Sequence, residues 1–95
     1  MVAYLISRVN VTDPAKYEGY KAAVPAAIKQ YGGKYLSRGG QLETLEGPTD
    51  NSRTVVLEFV SVEQARKFWN SPEYTRCKQL RAGAATMHAV IIEGT

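Results

Sequence analysis

The chain has 95 residues, with 12 Lys and Arg against 9 Asp and Glu, one Cys and a net charge of +3. This length suits a single domain over residues 1–95, and a hydrophobic content of 44% excludes disorder and fibrous repeats. One cysteine excludes an internal disulfide, no apolar run could span a bilayer, and the dispersed positive charge is unlike a nucleic-acid-binding surface. We therefore expect a cytoplasmic protein that binds neither membrane nor nucleic acid.

The first half of the chain predicts a strand, a helix and a second strand. The β-branched and aromatic run from Val2 to Val11 is apolar on both faces, which is typical of a central strand. Asp13 and Pro14 suit the N-cap and first position of a helix, and Gly32 suits its end. A second strand is predicted from Lys34 to Arg38, and "LETLEG" can extend it or form a short extra strand.

The second half predicts a strand, a broken helix and a last strand. "RTVVLEFV" is the strongest strand pattern, with Leu57 and Phe59 on one face and Glu58 on the other. Ser61 suits the N-cap of a helix that breaks near Asn70, where "SPEY" begins a further helical segment. "TMHAVIIEG" then forms the fourth strand.

The predicted order is therefore βαββαβ, an α+β chain of ferredoxin-like type. It gives a four-stranded antiparallel sheet with helices on one face. The other face is too apolar for free exposure, so we expect a second copy of the chain to cover it.

Two glycine pairs bracket the second predicted strand, in "GGKYLSRGG". The spacing is neither a dinucleotide-binding motif nor a P-loop, because no helix follows the second pair and no Gly-Lys-Ser/Thr is present. Gly39 and Gly40 are best explained by a bulge or a sharp turn. The alternative is a close approach of the backbone to a ligand beside Arg38.

Arg38 and Glu58 form the most informative predicted pair. Both are expected in neighbouring strands, on the sheet face away from the helices. A charged group on a partly apolar face needs a partner or a ligand. The pair is therefore either an ion pair inside a dimer, or a site in which Arg38 binds an anion or carbonyl while Glu58 orients it or acts as a base.

His88 and Trp69 are the remaining candidates. His88 is the only histidine, and without a cluster of other ligands it predicts no metal or haem site; it is a candidate base instead. Trp69, with Phe68 and Tyr74, forms either ordinary core or an aromatic wall for a planar ligand. The sequence does not decide which face of the last strand carries His88.

The segments "DPAKYEGYKAAVPAAIKQYGGKYLSRGG", "LEG", "VVLEF", "SPEY" and "LRAGAA" resemble, in this order, domain-of-unknown-function family 1330. That family is similar to the dimeric α/β-barrel superfamily, which includes cofactor-free quinone-forming monooxygenases, haem-degrading enzymes and muconolactone isomerases. The resemblance implies a ferredoxin-like fold and a dimer joined through its sheets, and it supplies no reaction.

We expect a homodimer with a small pocket, enclosed by the paired sheets and lying between sheet and helices, for a small aromatic or anionic organic molecule. No cofactor or metal is expected. Any catalysis would be cofactor-independent oxygen or proton-transfer chemistry of monooxygenase or isomerase type, with Glu58 or His88 as the base. The rival interpretation is a non-catalytic binding or assembly module. The candidate ligand-binding residues are Arg38, Glu58, Tyr4, Ile6 and Trp69.

Overall fold

In the computed structural model, which describes all 95 residues, four strands form one antiparallel sheet. The strands are β1 (Ala3–Val11), β2 (Lys34–Arg38), β3 (Arg53–Phe59) and β4 (Ala85–Glu93). Their order across the sheet is β2-β3-β1-β4, so β1 lies between β3 and β4. The predicted four-stranded antiparallel sheet and the central position of its first strand are confirmed.

Three helices connect the strands and begin at the predicted caps. They are α1 (Pro14–Gln30), α2 (Val62–Trp69) and α3 (Pro72–Leu80). The side chains of Asp13, Ser61 and Ser71 each accept a hydrogen bond from the backbone N–H three residues later, at 3.1–3.2 Å. The predicted break at Asn70 is therefore a real boundary, since Ser71 starts a new helix. None of the three helices is long and apolar enough to cross a membrane.

The core lies between the helices and one face of the sheet. Leu5 and Val9 of β1, together with Leu57 and Phe59 of β3, are buried on that face. The buried helical residues that pack with them are Tyr17, Tyr20, Val24, Ala27, Ile28, Ala65, Phe68, Tyr74 and Cys77. Alternation along each strand thus places the side chains of the odd-numbered residues of β1 and β3 on the side of the sheet that faces the helices.

The opposite face of the sheet carries no helix. On it Ile6 lies between Val56 and Val90, while Tyr4 of the next row lies beside Glu58. Val90 is 43% exposed, and at the strand's end Ile92 is 54% exposed. The expected apolar bare face is therefore present, and we refer to it as the open face.

The pairing of β2 with β3 shifts between Tyr35 and Ser37, which leaves Leu36 in a bulge. The bulge therefore lies before Gly39 and Gly40, the pair at which the sequence suggested a bulge or a sharp turn. Gly39 has a φ of +67° that L side chains rarely adopt. Residues 39–52 then form neither helix nor strand, so the extra strand allowed for "LETLEG" is absent.

Candidate functional site

A cleft lies between the helices and the helix-facing side of the sheet. The empty space of the cleft is about 470 Å³, measured out to its open mouth. Only about 40 Å³ of this space is wide enough to hold the centre of a water molecule. The cleft is therefore narrow rather than roomy. The residues that line it are Leu5, Ser7, Tyr17, Tyr20, Lys21, Val24, Ile28, Tyr35, Arg38, Arg53, Val55, Leu57, Phe68, Trp69, Tyr74 and Met87.

Aromatic rings form one wall of the cleft. The ring centroid of Tyr74 is 4.7 Å from that of Phe68 and 4.9 Å from that of Trp69. Phe68 and Tyr74 are buried core residues, whereas Trp69 is only half-buried. The two interpretations of this cluster are thus compatible, because the same rings complete the core and face the cleft.

Three cationic side chains line the cleft, and no carboxylate does. Lys21 is paired with Glu18 at 3.2 Å. Arg38 donates a hydrogen bond from Nη2 to the carbonyl oxygen of Lys21 at 3.0 Å, and its guanidinium lies 4.9 Å from the centroid of the Tyr35 ring. Neither Arg38 nor Arg53 forms a salt bridge, so these two guanidinium groups have no acidic partner in the chain.

Arg53 is held at the start of β3, opposite Val9. Its Nε atom is buried and has no hydrogen-bond partner, although native proteins satisfy most buried polar atoms. A Cβ atom at Gly39 would lie 2.7 Å from Cζ of Arg53. The absence of a side chain at Gly39 therefore leaves room for the Arg53 guanidinium.

The tyrosine hydroxyls of the cleft are hydrogen-bond donors rather than bases. Burial raises the pKa of Tyr20, whose hydroxyl lies 2.9 Å from that of Tyr74. Burial also raises the pKa of Tyr17, and the nearby Arg53 and Arg81 oppose that shift without cancelling it. These hydroxyls remain protonated at neutral pH, so they can donate to an anionic or carbonyl oxygen.

The predicted pairing of Arg38 with Glu58 is wrong. Glu58 lies on the open face opposite Tyr4, as strand alternation indicated. Arg38 instead lies opposite Val55, whose side chain lines the cleft. The bulge at Leu36 is the physical reason, because one extra residue moves the following side chains to the other face of the sheet.

The other predicted site residues divide between the two faces. Trp69 lines the cleft, whereas Tyr4 and Ile6 lie on the open face. His88 is exposed opposite Arg8, which places it on the open face as well. No group of three or more His, Cys, Asp or Glu side chains could hold a metal ion.

Three polar residues that line the cleft, Arg53, Lys21 and Ser7, were not predicted as site residues. Arg53 has the same strand phase as Leu57, which was predicted on the face opposite Glu58, so alternation alone could have found it. Ser7 has the phase of Leu5 in the same way. Lys21 follows Tyr17 by four residues, a spacing that puts both on neighbouring parts of one helix face.

Solved structures share this fold at low sequence identity. A protein of unknown function from Rhodopseudomonas palustris, RPA0582, has a TM-score of 0.77 and 18% identity over 99% of this chain and 82% of that one. SnoaB, a cofactor-independent oxygenase from Streptomyces nogalater, has a TM-score of 0.71 and 16% identity over 99% of this chain and 93% of that one.

A third neighbour names the fold. It is a dimeric protein of unknown function and ferredoxin-like fold from Bacteroides fragilis, with a TM-score of 0.67 and 13% identity over 98% and 96% of the two chains. The predicted ferredoxin-like class is therefore confirmed. No curated protein matches the sequence. The family model described as Domain of unknown function (DUF1330) matches residues 2–95, so the chain belongs to this family, as its motifs indicated.

Proposed function

We propose that this protein is a homodimer that binds a small aromatic or anionic organic molecule in the cleft between its sheet and its helices. One observation carries the proposal. The cleft combines an aromatic wall with two guanidinium groups, of Arg38 and Arg53, that have no acidic partner in the chain. Ligand sites are typically apolar clefts with a few convergent polar groups, and this cleft has that composition.

The dimeric part of the proposal is supported by the open face. Its central row, Val56, Ile6 and Val90, is apolar and has no cover within the chain. Contiguous exposed apolar surface of this kind marks an interaction site, and a second copy is the simplest partner for it. The neighbour described as dimeric has the same fold. In this arrangement Tyr4 and Glu58 belong to the interface.

A catalytic form of the proposal is supported by the likeness to SnoaB, described as a cofactor-independent oxygenase. An activated CH₂ next to an aromatic ring can react with O₂ to give C=O and one water, which balances without a cofactor. No carboxylate or histidine lines the cleft, and Glu58 and His88 lie on the other face of the sheet. The cleft would therefore act by stabilising an anionic substrate, and the alternative remains a binding module without catalysis.

The binding site is tested by titrating ¹⁵N-labelled protein with planar aromatic probes such as 2-naphthoate and indole, and following the amide resonances. We expect shifts at cleft residues such as Ser7, Lys21 and Val55, with little change at Val90 of the open face. Shifts confined to the open face, or no shifts with any probe, would refute the proposed site.

The dimer is tested separately by sedimentation velocity over a dilution series. We expect a two-chain species at micromolar concentration. A well-folded single-chain species throughout the series would show that the open face needs no partner.

A further inference from the structure

We infer that the cleft selects a planar aromatic carboxylate, with the carboxylate bound by Arg53 and Arg38 and the ring against the aromatic wall. This inference rests on the proposed function and adds the chemical class and orientation of the ligand. Its basis is that every polar side chain in the cleft can donate a hydrogen bond and that none is a carboxylate.

The first step concerns the charge. Arg53 is partly buried, its Nε has no hydrogen-bond partner, and it has no acidic partner in the chain. Removing a guanidinium from water without a counter-ion costs free energy. A bound anion that pairs with the Arg53 guanidinium would offset this cost. Arg38, at the exposed end of β2, belongs to the same cleft and also lacks a counter-ion.

The second step concerns the shape of the anion. A guanidinium presents parallel N–H donors that match the two oxygens of a carboxylate. The bare backbone of Gly39 leaves room for the Arg53 guanidinium, because a side chain at position 39 would occupy part of the same space.

The third step concerns the rest of the ligand. Trp69 is half-buried in the cleft, and its ring lies 4.9 Å from that of Tyr74 at an angle of 43°, so a flat ligand ring can pack against this aromatic wall. The hydroxyls of Tyr20 and Tyr74 share one hydrogen bond, so the hydroxyl that accepts it keeps its own hydrogen for a second oxygen function on the ring. Cationic ligands are disfavoured, because they would meet three positive side chains and no acid.

The test compares the full-length protein's binding of 2-naphthoate and 2-naphthamide, which have similar shapes but differ in charge. We expect the carboxylate to bind at least about ten-fold tighter, as a charge-assisted hydrogen bond implies. Arg53→Gln should remove this preference, and the control Arg76→Gln, at an exposed position outside the cleft, should keep it. Arg53→Lys should restore part of the preference for the carboxylate, because lysine returns the positive charge but not the paired N–H donors of the guanidinium.

The outcomes separate this inference from the proposed function. Equal affinity of acid and amide, with resonance shifts in the cleft, overturns the carboxylate assignment and leaves a neutral-ligand site. Tighter binding of phenyl phosphate than of either naphthalene probe also overturns it. If neither class binds, the proposed function fails as well. If Arg53→Gln does not fold, the salt dependence of wild-type binding decides: only the naphthoate affinity should fall as NaCl rises.

Discussion

The hydroxyl oxygens of Tyr20 and Tyr74 lie 2.9 Å apart and join α1 to α3 inside the core. Both side chains are buried, at 7% and 2% exposure, so a hydroxyl that lost its partner would have little access to water. Because both rings also line the cleft, this hydrogen bond fixes the spacing of the two helices that enclose it. The same contact therefore serves stability and the shape of the site.

Tyr74→Phe should lower the free energy of unfolding by about 1–2 kcal/mol, because it leaves the Tyr20 hydroxyl buried with one partner fewer. The double variant with Tyr20→Phe should cost less than the sum of the single variants, since both remove the same bond. Urea unfolding measures these differences. The control is Tyr35→Phe, which removes a hydroxyl for which the structure has no hydrogen bond, and strictly additive costs for the pair would contradict the coupling.

Gly39→Ala should destabilise the fold by about 1–2 kcal/mol, because position 39 has a φ of +67° that an L side chain adopts at a cost. The added methyl group should also displace the Arg53 guanidinium and weaken binding of 2-naphthoate. Gly40→Ala is the matched control, since its nearest neighbour would be Ser37 Oγ at an ordinary 3.5 Å. Equal effects of the two substitutions on binding would show that Gly39 does not position Arg53.

Glu73 should make stability depend on pH. Tyr31 donates a hydrogen bond to its carboxylate at 2.7 Å and Gln30 donates another at 3.2 Å, and these bonds lower the pKa of Glu73. A lowered folded-state pKa stabilises the protein above the unfolded value of about 4.3, and this contribution is lost as pH falls through the folded pKa. The melting temperature of Glu73→Gln should therefore be lower than that of wild type at pH 7, and the two melting temperatures should converge in acid.

The control for Glu73 is Glu43→Gln, in the exposed segment between β2 and β3, where the carboxylate has no hydrogen bond. Its difference from wild type should be small and should change little with pH. A constant gap between Glu73→Gln and wild type from pH 7 to pH 3 would mean that the hydrogen bonds at Glu73 do not favour its charged form.

Ile6→Glu should separate the proposed dimer into folded monomers. Ile6 occupies the centre of the open face, between Val56 and Val90, where burying a charge against apolar neighbours is costly. Sedimentation velocity should report one chain, and circular dichroism should remain that of wild type. Leu80→Glu is the control, because Leu80 is 43% exposed on α3, away from the sheet. An unchanged dimer in the Ile6 variant would show that another surface joins the chains.

The order of the elements, their caps and the faces of β3 could be predicted from the sequence, because they depend on local features. The side chains of Asp13, Ser61 and Ser71 signal helix starts because each accepts a hydrogen bond from a backbone N–H of the first turn. A period of two assigns Glu58 and Leu57 to opposite faces.

Which charged residues share a site depends on contacts between distant segments and could not be predicted from the sequence. The bulge at Leu36 moves the Arg38 side chain to the helix-facing side of the sheet. The pairing of β4 with β1 places His88 beside Arg8 on the open face. The cleft also required α1 and α3 to meet over the sheet and bring Tyr20 to Tyr74. Strand register and helix packing depend on hydrogen bonds and contacts between distant segments, which a local pattern does not encode.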